Sequence, residues 1–246
     1  MNCNFEFCIL TFEFTIVIED LAKKIGVKFN DIQLLQQAVT HRSYLNEHRS
    51  YKLEHNERLE FLGDAVLELV VTEYLYNKFP NHPEGEMTNW RAALVNGEML
   101  AKIAKKIGVE DYLMMSRGEA KDTGRARQYL LANAFEAIIG SIYLDQEKNG
   151  YEKCREFILN NVIVELSEII ENKSYLDPKS RFQEESQDKV GITPSYRVIS
   201  ESGPDHDKKF VVGVYLNEEL VAKGEGQSKQ EAQRQAAEKG LEEKGW

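Results

Sequence analysis

The hydrophobic pattern of this 246-residue chain changes its period near Glu171-Asn172-Lys173-Ser174. Upstream, from about Glu19, apolar residues recur at helical spacing, as in Leu59, Leu62, Val66, Leu69 and Val70, and again in Ile138, Ile139, Ile142 and Tyr143. That is the spacing of helices that bury one face. Downstream, runs at Ser195 to Ser200, Lys209 to Leu216 and Glu219 to Lys223 read as strands, joined by Gly203-Pro204-Asp205 and Asn217-Glu218. Asp177-Pro178 opens a helix before them and Ser228 opens an Ala-rich helix after them. The switch predicts an all-α domain followed by a small α+β unit of order α-β-β-β-α. The expected boundaries are an apolar extension over residues 1–18, a helical domain over 19–172, a linker over 173–177 and the second unit over 178–246.

Composition removes several classes of function. Lys and Arg number 31 against 41 Asp and Glu, a formal net charge of −10, so the chain does not grip nucleic acid by bulk positive charge, and any such contact is local. Phe5, Phe7, Ile9, Leu10, Phe12 and Phe14 make the start of the chain apolar, but Glu6 and Glu13 interrupt it and no basic segment precedes it. This is a poor signal peptide and too short a run to span a bilayer. Cys3, Cys8 and Cys154 show no CxxC spacing, and the five histidines no paired ligand spacing, so neither a disulfide framework nor a zinc site is expected. A reducing cytoplasm is the expected location.

The acid is distributed unevenly, with residues 1–174 carrying a net charge of −7. Within them, Glu57, Glu60 and Asp64 stand at i, i+3 and i+7 and so share one helical face. One reading is a solvated acidic stripe on an amphipathic helix. Leu59, Phe61, Leu62, Ala65, Val66 and Leu67 argue against it, because they leave little room for a broad solvent face. A second segment, Leu130 to Ile139, has only two polar side chains, Asn133 and Glu136, three apart. A carboxylate there is expected to be desolvated, and it must neutralise, pair or bind a cation. No Lys or Arg lies within a helical turn of Glu136, so a cation shared with Glu60 and Asp64 is the most economical partner. Oxygen donors without Cys or His select Mg²⁺, with Mn²⁺ able to substitute, and that chemistry most often acts on phosphate esters.

Asn56-Glu57-Arg58-Leu59-Glu60-Phe61-Leu62-Gly63-Asp64 resembles the signature of the ribonuclease III family, endonucleases that cut double-stranded RNA. Thr40 to Tyr44, Glu84 to Thr88 with Arg91-Ala92 and Leu94-Val95, and Ala132 to Ala137 resemble further blocks of that family in the same order. The C-terminal unit resembles its double-stranded RNA-binding domain, so the likeness to the bacterial type covers residues 19 to 244. It implies that Glu60, Asp64, Asn133 and Glu136 hold the metal, with Asp64 and Glu136 carrying most of the catalysis. The family's third ligand is usually Asp, and Asn133 offers a carbonyl oxygen without charge, which lowers the expected metal affinity. The resemblance further implies a homodimer, with Glu57 an interface or active-centre residue and Glu84 near the cleavage valley. Products would carry 5′-phosphate and 3′-hydroxyl ends with short 3′ overhangs, formed in ribosomal and messenger RNA processing.

A duplex is read by shape, through two minor grooves and the major groove between them, so three contact patches are needed. Ser180, Gln183, Glu184 and Gln187 share a face of the first helix of the C-terminal unit. His206, in the loop after Gly203, resembles the residue that enters the second minor groove. Ser228 and Lys229 begin the last helix, whose free N–H groups suit a phosphate. The family usually has a lysine cluster there, whereas this chain has Gln230 and Gln233, so weak and salt-sensitive affinity is expected of the unit by itself. Two other readings remain. One is a duplex-RNA-binding protein whose nuclease site is weakened by Asn133, and the other is a small-molecule phosphohydrolase, for which an RNA-binding unit would have no purpose.

Overall fold

A computed structural model describes residues 18–204 and 208–246. The apolar alternation at Phe5, Phe7 and Ile9, and the loop residue His206, lie outside the described residues. The chain divides between Ile170 and Glu171 into two compact units.

The first unit is helical: α1 (residues 18–24), α2 (Ile32–Ala38), α3 (Arg42–Glu47), α4 (Glu57–Lys78), α5 (Glu84–Val95), α6 (Gly97–Ile107), α7 (Arg125–Asp145), α8 (Gly150–Asn161) and α9 (Leu166–Glu171). Side-chain caps start several of them. Asp31 accepts from the Gln33 amide of α2 at 3.0 Å, and Asn96 from the Met99 amide of α6 at 2.9 Å, each satisfying a donor that the helix leaves open. From Leu131 to Ile142 helix α7 is buried at every position except Asn133 and Glu136, and α2, α4, α6 and α8 pack around it. An apolar helix buried all round is the centre of the unit rather than one of its walls.

Two buried acids of this unit are satisfied within the protein. Asp145 accepts from the Asn30 amide at 2.9 Å and the Asp31 amide at 2.6 Å, pinning the start of α2 to the end of α7. Glu165 lies between Lys102 at 2.9 Å and Lys106 at 3.0 Å on α6. Buried charge is tolerated where hydrogen-bond donors surround it.

The second unit is α10 (Pro178–Val190), β1 (Ser195–Ser202), β2 (Lys209–Leu216), β3 (Glu219–Gly226) and α11 (Lys229–Lys244). Asp177 caps α10 by accepting from the Lys179 amide at 3.0 Å, and Pro178 takes the first turn, as the sequence predicts. The sheet is antiparallel in the order β1-β2-β3. Phe182 of α10, Val214 and Leu216 of β2, and Ala236, Ala237 and Leu241 of α11 form its core. The α-β-β-β-α expectation is met. β3 runs three residues beyond the predicted Lys223, because Val211 and Phe210 pair with Glu225 and Gly226 and the ladder overrides the weak strand propensity of glycine.

Candidate functional site

Helices α4 and α7 cross at a pair of glycines. A methyl group placed on Gly63 would overlap the Glu136 carbonyl of α7, and one placed on Gly140 would overlap the Leu59 carbonyl of α4. The two backbones therefore touch, closer than any pair of side chains would allow. Glu60 stands one turn before Gly63 and Asp64 directly after it, and on α7 stand Asn133 and Glu136. The crossing gathers these four residues into one region, with Glu60, Asn133 and Glu136 half-buried and Asp64 exposed.

The electrostatics of the four are those of crowded acid. Burial, reinforced by the charges of Asp64, Glu60 and Glu68, pushes the Glu136 carboxyl up to about 7. Burial, with the charges of Glu57 and Asp64, also raises Glu60. Two groups oppose that rise: the charge of His41, and the Asn133 amide facing the Glu60 carboxylate from across the crossing. Among the described residues no three His, Cys, Asp or Glu side chains are drawn together tightly enough to cage a metal ion. The carboxylates share a region without forming a closed ligand set, and the Asn133 amide stands beside Glu60 there.

Sequence reasoning leaves little room for a solvent face on α4, and the structure corrects this. Phe61 is 81% exposed and Leu69 56%, while Asp64 and Ala65 are also exposed. The apolar spacing did not reveal that Leu59, Gly63, Val66, Leu67, Val70, Val71 and Leu75 form the buried face of α4, leaving Phe61 on the outside with the acids. Glu57, in the first turn of α4, is met by Arg42, whose Nε lies 3.1 Å from Oε1 and whose Nη2 donates to Oε2 at 3.2 Å. Glu84 stands elsewhere, in the first turn of α5, where it accepts from the Thr88 hydroxyl at 2.8 Å. It lines a groove of about 220 Å³ with Thr72, Leu75, Tyr76, Met87, Thr88 and Arg91.

In the second unit Ser180, Gln183, Glu184 and Gln187 are all exposed on α10, and their spacing places them on one face. Gln187 accepts from the Thr193 hydroxyl at 3.2 Å. Ser228 caps α11, its Oγ accepting from the Glu231 amide at 3.1 Å, so this hydroxyl oxygen already serves the helix. Lys229 is exposed, with Nζ 5.6 Å from the centre of the Phe210 ring.

Each of the two units resembles a known family. Residues 31–166 match the family model described as ribonuclease-III-like, and residues 178–244 the double-stranded RNA binding motif. The chain is 45% identical over 222 residues to "Ribonuclease 3" of Enterococcus faecalis, covering 90% of this chain and 95% of that protein. It is 46% identical over 220 residues to "Ribonuclease 3" of Natranaerobius thermophilus, covering 89% and 93%. The chain belongs to the ribonuclease III family. Among solved structures, the nuclease domain of ribonuclease III from Campylobacter jejuni superposes with a TM-score of 0.52 at 42% identity, covering 59% of this chain and 95% of that one. That nuclease domain shows structural flexibility in a region involved in dimer formation.

Three features of this ribonuclease III chain were not found from its sequence. Gly63 and Gly140 interrupt helical runs, and an isolated glycine inside a helical pattern is the signal that would have marked a close approach. His41, of the Thr40 to Tyr44 block, lies 2.9 Å through Nδ1 from Glu119, which also accepts from the Ser43 hydroxyl. Arg91 holds Glu68, one turn beyond Asp64, at 3.1 Å and donates to the Thr72 hydroxyl at 2.9 Å. No single-sequence pattern pairs residues so far apart.

Proposed function

We propose that this chain hydrolyses phosphodiester bonds of double-stranded RNA, with Glu60, Asp64, Asn133 and Glu136 holding Mg²⁺, for which Mn²⁺ can substitute. The products would carry 5′-phosphate and 3′-hydroxyl ends and short 3′ overhangs, and the substrates would be ribosomal and messenger RNA precursors in the cytoplasm, where a reducing environment suits the buried free thiol of Cys154. Residues 19–172 would form the endonuclease domain and 178–246 the RNA-binding domain, joined by 173–177.

The observation that carries this reading is the half-buried Glu136, with its carboxyl raised to about 7 beside Asp64 and Glu60. A donor set made only of carboxylate and amide oxygens suits a hard divalent cation, and a site whose acids repel one another is one that such a cation would relieve. When bound, the metal would lower the pKa of the attacking water and offset charge that develops on the phosphate. Asp64, exposed on the face of α4, would meet the substrate side, and Glu136, once deprotonated, would supply the charge that Asn133 lacks. Arg42 would keep Glu57 oriented at the edge of the site, and Glu84 would border the substrate path on α5.

Phe61, exposed beside these acids together with Leu69 and with Tyr76 at 71%, supports a homodimer formed through this face. For the RNA, Ser180, Gln183, Glu184 and Gln187 would face one minor groove, His206 the next, and Ser228 with Lys229 the phosphates between them.

The test is cleavage of a perfect RNA duplex with Mg²⁺, with EDTA and by Glu136→Gln, with product ends resolved at single-nucleotide length. Metal-dependent staggered cuts that are lost in Glu136→Gln are expected, and a duplex that is bound but left intact would sink the hydrolytic reading. Asn133→Asp should tighten the metal dependence, and an unchanged Mg²⁺ requirement would remove Asn133 from the ligand set. A duplex-binding protein without catalysis is the weaker reading, since the relatives matched over nine-tenths of the chain carry the name of the nuclease.

A further inference from the structure

Several basic side chains of the second unit are held by acids. Lys173 and Lys189 share Glu185 at 2.9 and 3.2 Å, Arg197 meets Glu218 at 2.7 Å, and Lys244 meets Glu219 at 3.1 Å. Lys179 differs. Its Nζ donates to Gln233 Oε1 of α11 at 2.8 Å and lies 5.3 Å from the centre of the Tyr196 ring, and among the described residues it has no carboxylate within ion-pair distance.

Gln233 follows Lys229 by four positions, so the two share one face of α11. The Lys179 ammonium, docked on the Gln233 amide, therefore stands one helical turn from Lys229. Both lysines are arranged alike, each laid over an aromatic ring and each without a carboxylate partner. The nearby acids are engaged with backbone. Asp177 accepts from the Lys179 amide at 3.0 Å, and Glu231 from the Gln227 amide at 2.8 Å. A neutral amide and a ring face orient a cation without cancelling its charge, so the charge stays available to an incoming anion.

We propose that Lys179 is a second phosphate-binding residue of the duplex-RNA surface, supplied by α10 and positioned at the start of α11 by Gln233 and Tyr196. This rests on the duplex-binding reading given above and deepens it. The scarcity of lysine on α11 itself is made up from the neighbouring helix. A glutamate at position 233 would hold Lys179 equally well but neutralise it, which is why the amide matters.

The experiment is equilibrium binding of the full chain to a blunt RNA duplex of about 20 base pairs in EDTA, across a fourfold range of salt. Lys179→Ala should weaken binding several-fold and reduce the slope of log affinity against log salt by about 0.9, the increment expected of one phosphate contact. Lys179→Arg should retain the slope. Gln233→Glu should also weaken binding, with no loss of melting temperature, because it adds an ion pair while removing net charge. This second variant decides the question if Lys179→Ala melts early. Wild-type affinity and slope in Gln233→Glu, or in a folded Lys179→Ala, overturn the assignment while leaving duplex binding intact. Failure of the unaltered chain to bind the duplex would overturn the duplex reading and this assignment with it.

Discussion

Glu136 is a carboxylate held where its charged form is disfavoured, and the consequence is measurable without any substrate. Its carboxyl is raised from the ordinary 4.5 to about 7 by burial and by the charges of Asp64, Glu60 and Glu68. A raised acid favours the folded state in its protonated form. That contribution is complete below about 4.5 and is lost as pH rises through about 7. Metal-free protein should therefore lose stability over this interval, on the order of 1 kcal/mol once solvent screening of a partly exposed group is allowed for. Glu136→Gln should flatten that part of the profile, as read by denaturant midpoints in EDTA at several pH values. An unchanged slope in the variant would mean that Glu136 does not titrate in this range. The carboxylate and the need to neutralise it were legible in the run Leu130 to Ile139. The contribution of Glu68 and the opposition of His41 to the rise of Glu60 were not, since both come from residues brought close by folding.

Between α4 and α7 the deciding contact is backbone on backbone. Glycine inside a helix usually costs about 0.5–1 kcal/mol relative to alanine, so Gly→Ala in a helix is ordinarily stabilising. At Gly63 the sign should reverse, because the added methyl would overlap the Glu136 carbonyl and neither backbone can yield without parting the helices. Gly63→Ala should lower stability by about 2–4 kcal/mol, as overpacking against a rigid neighbour does. Chemical denaturation would check it, and a variant as stable as the unaltered chain would show that the crossing is slack. Metal-dependent cleavage should fall as well, since Glu60 and Asp64 would be moved away from Asn133 and Glu136. In the second unit the elements followed local signals more closely. Asp177-Pro178 and Ser228 start their helices at the predicted places because a cap is a contact between residues two or three apart.

For the molecule as a whole, the exposed Phe61, Leu69 and Tyr76 of α4 are the surface that assembly would cover. Sedimentation equilibrium should give a mass of about 57 kDa, twice the 28.3 kDa of one chain. Phe61→Asp should shift it towards the single chain without unfolding it, because an 81% exposed side chain contributes little to its own core. A wild-type mass of one chain would remove the dimer. No helix among the described residues is long and apolar enough to cross a membrane.

Taken by itself, the sequence determined the order of elements, the change from helical to alternating period near residue 172, the helix caps and the presence of a desolvated acid at Glu136. Each of these follows from neighbours within about one turn of helix or one strand, where side-chain spacing and backbone geometry are local properties. Tertiary structure alone decided that α4 and α7 meet at Gly63 and Gly140, that Phe61 faces outward, that Arg91 holds Glu68, and that Lys179 reaches across to Gln233. Periodicity states which face of a helix is apolar. Which partner covers that face, and how closely, depends on the packing of residues far apart in the chain.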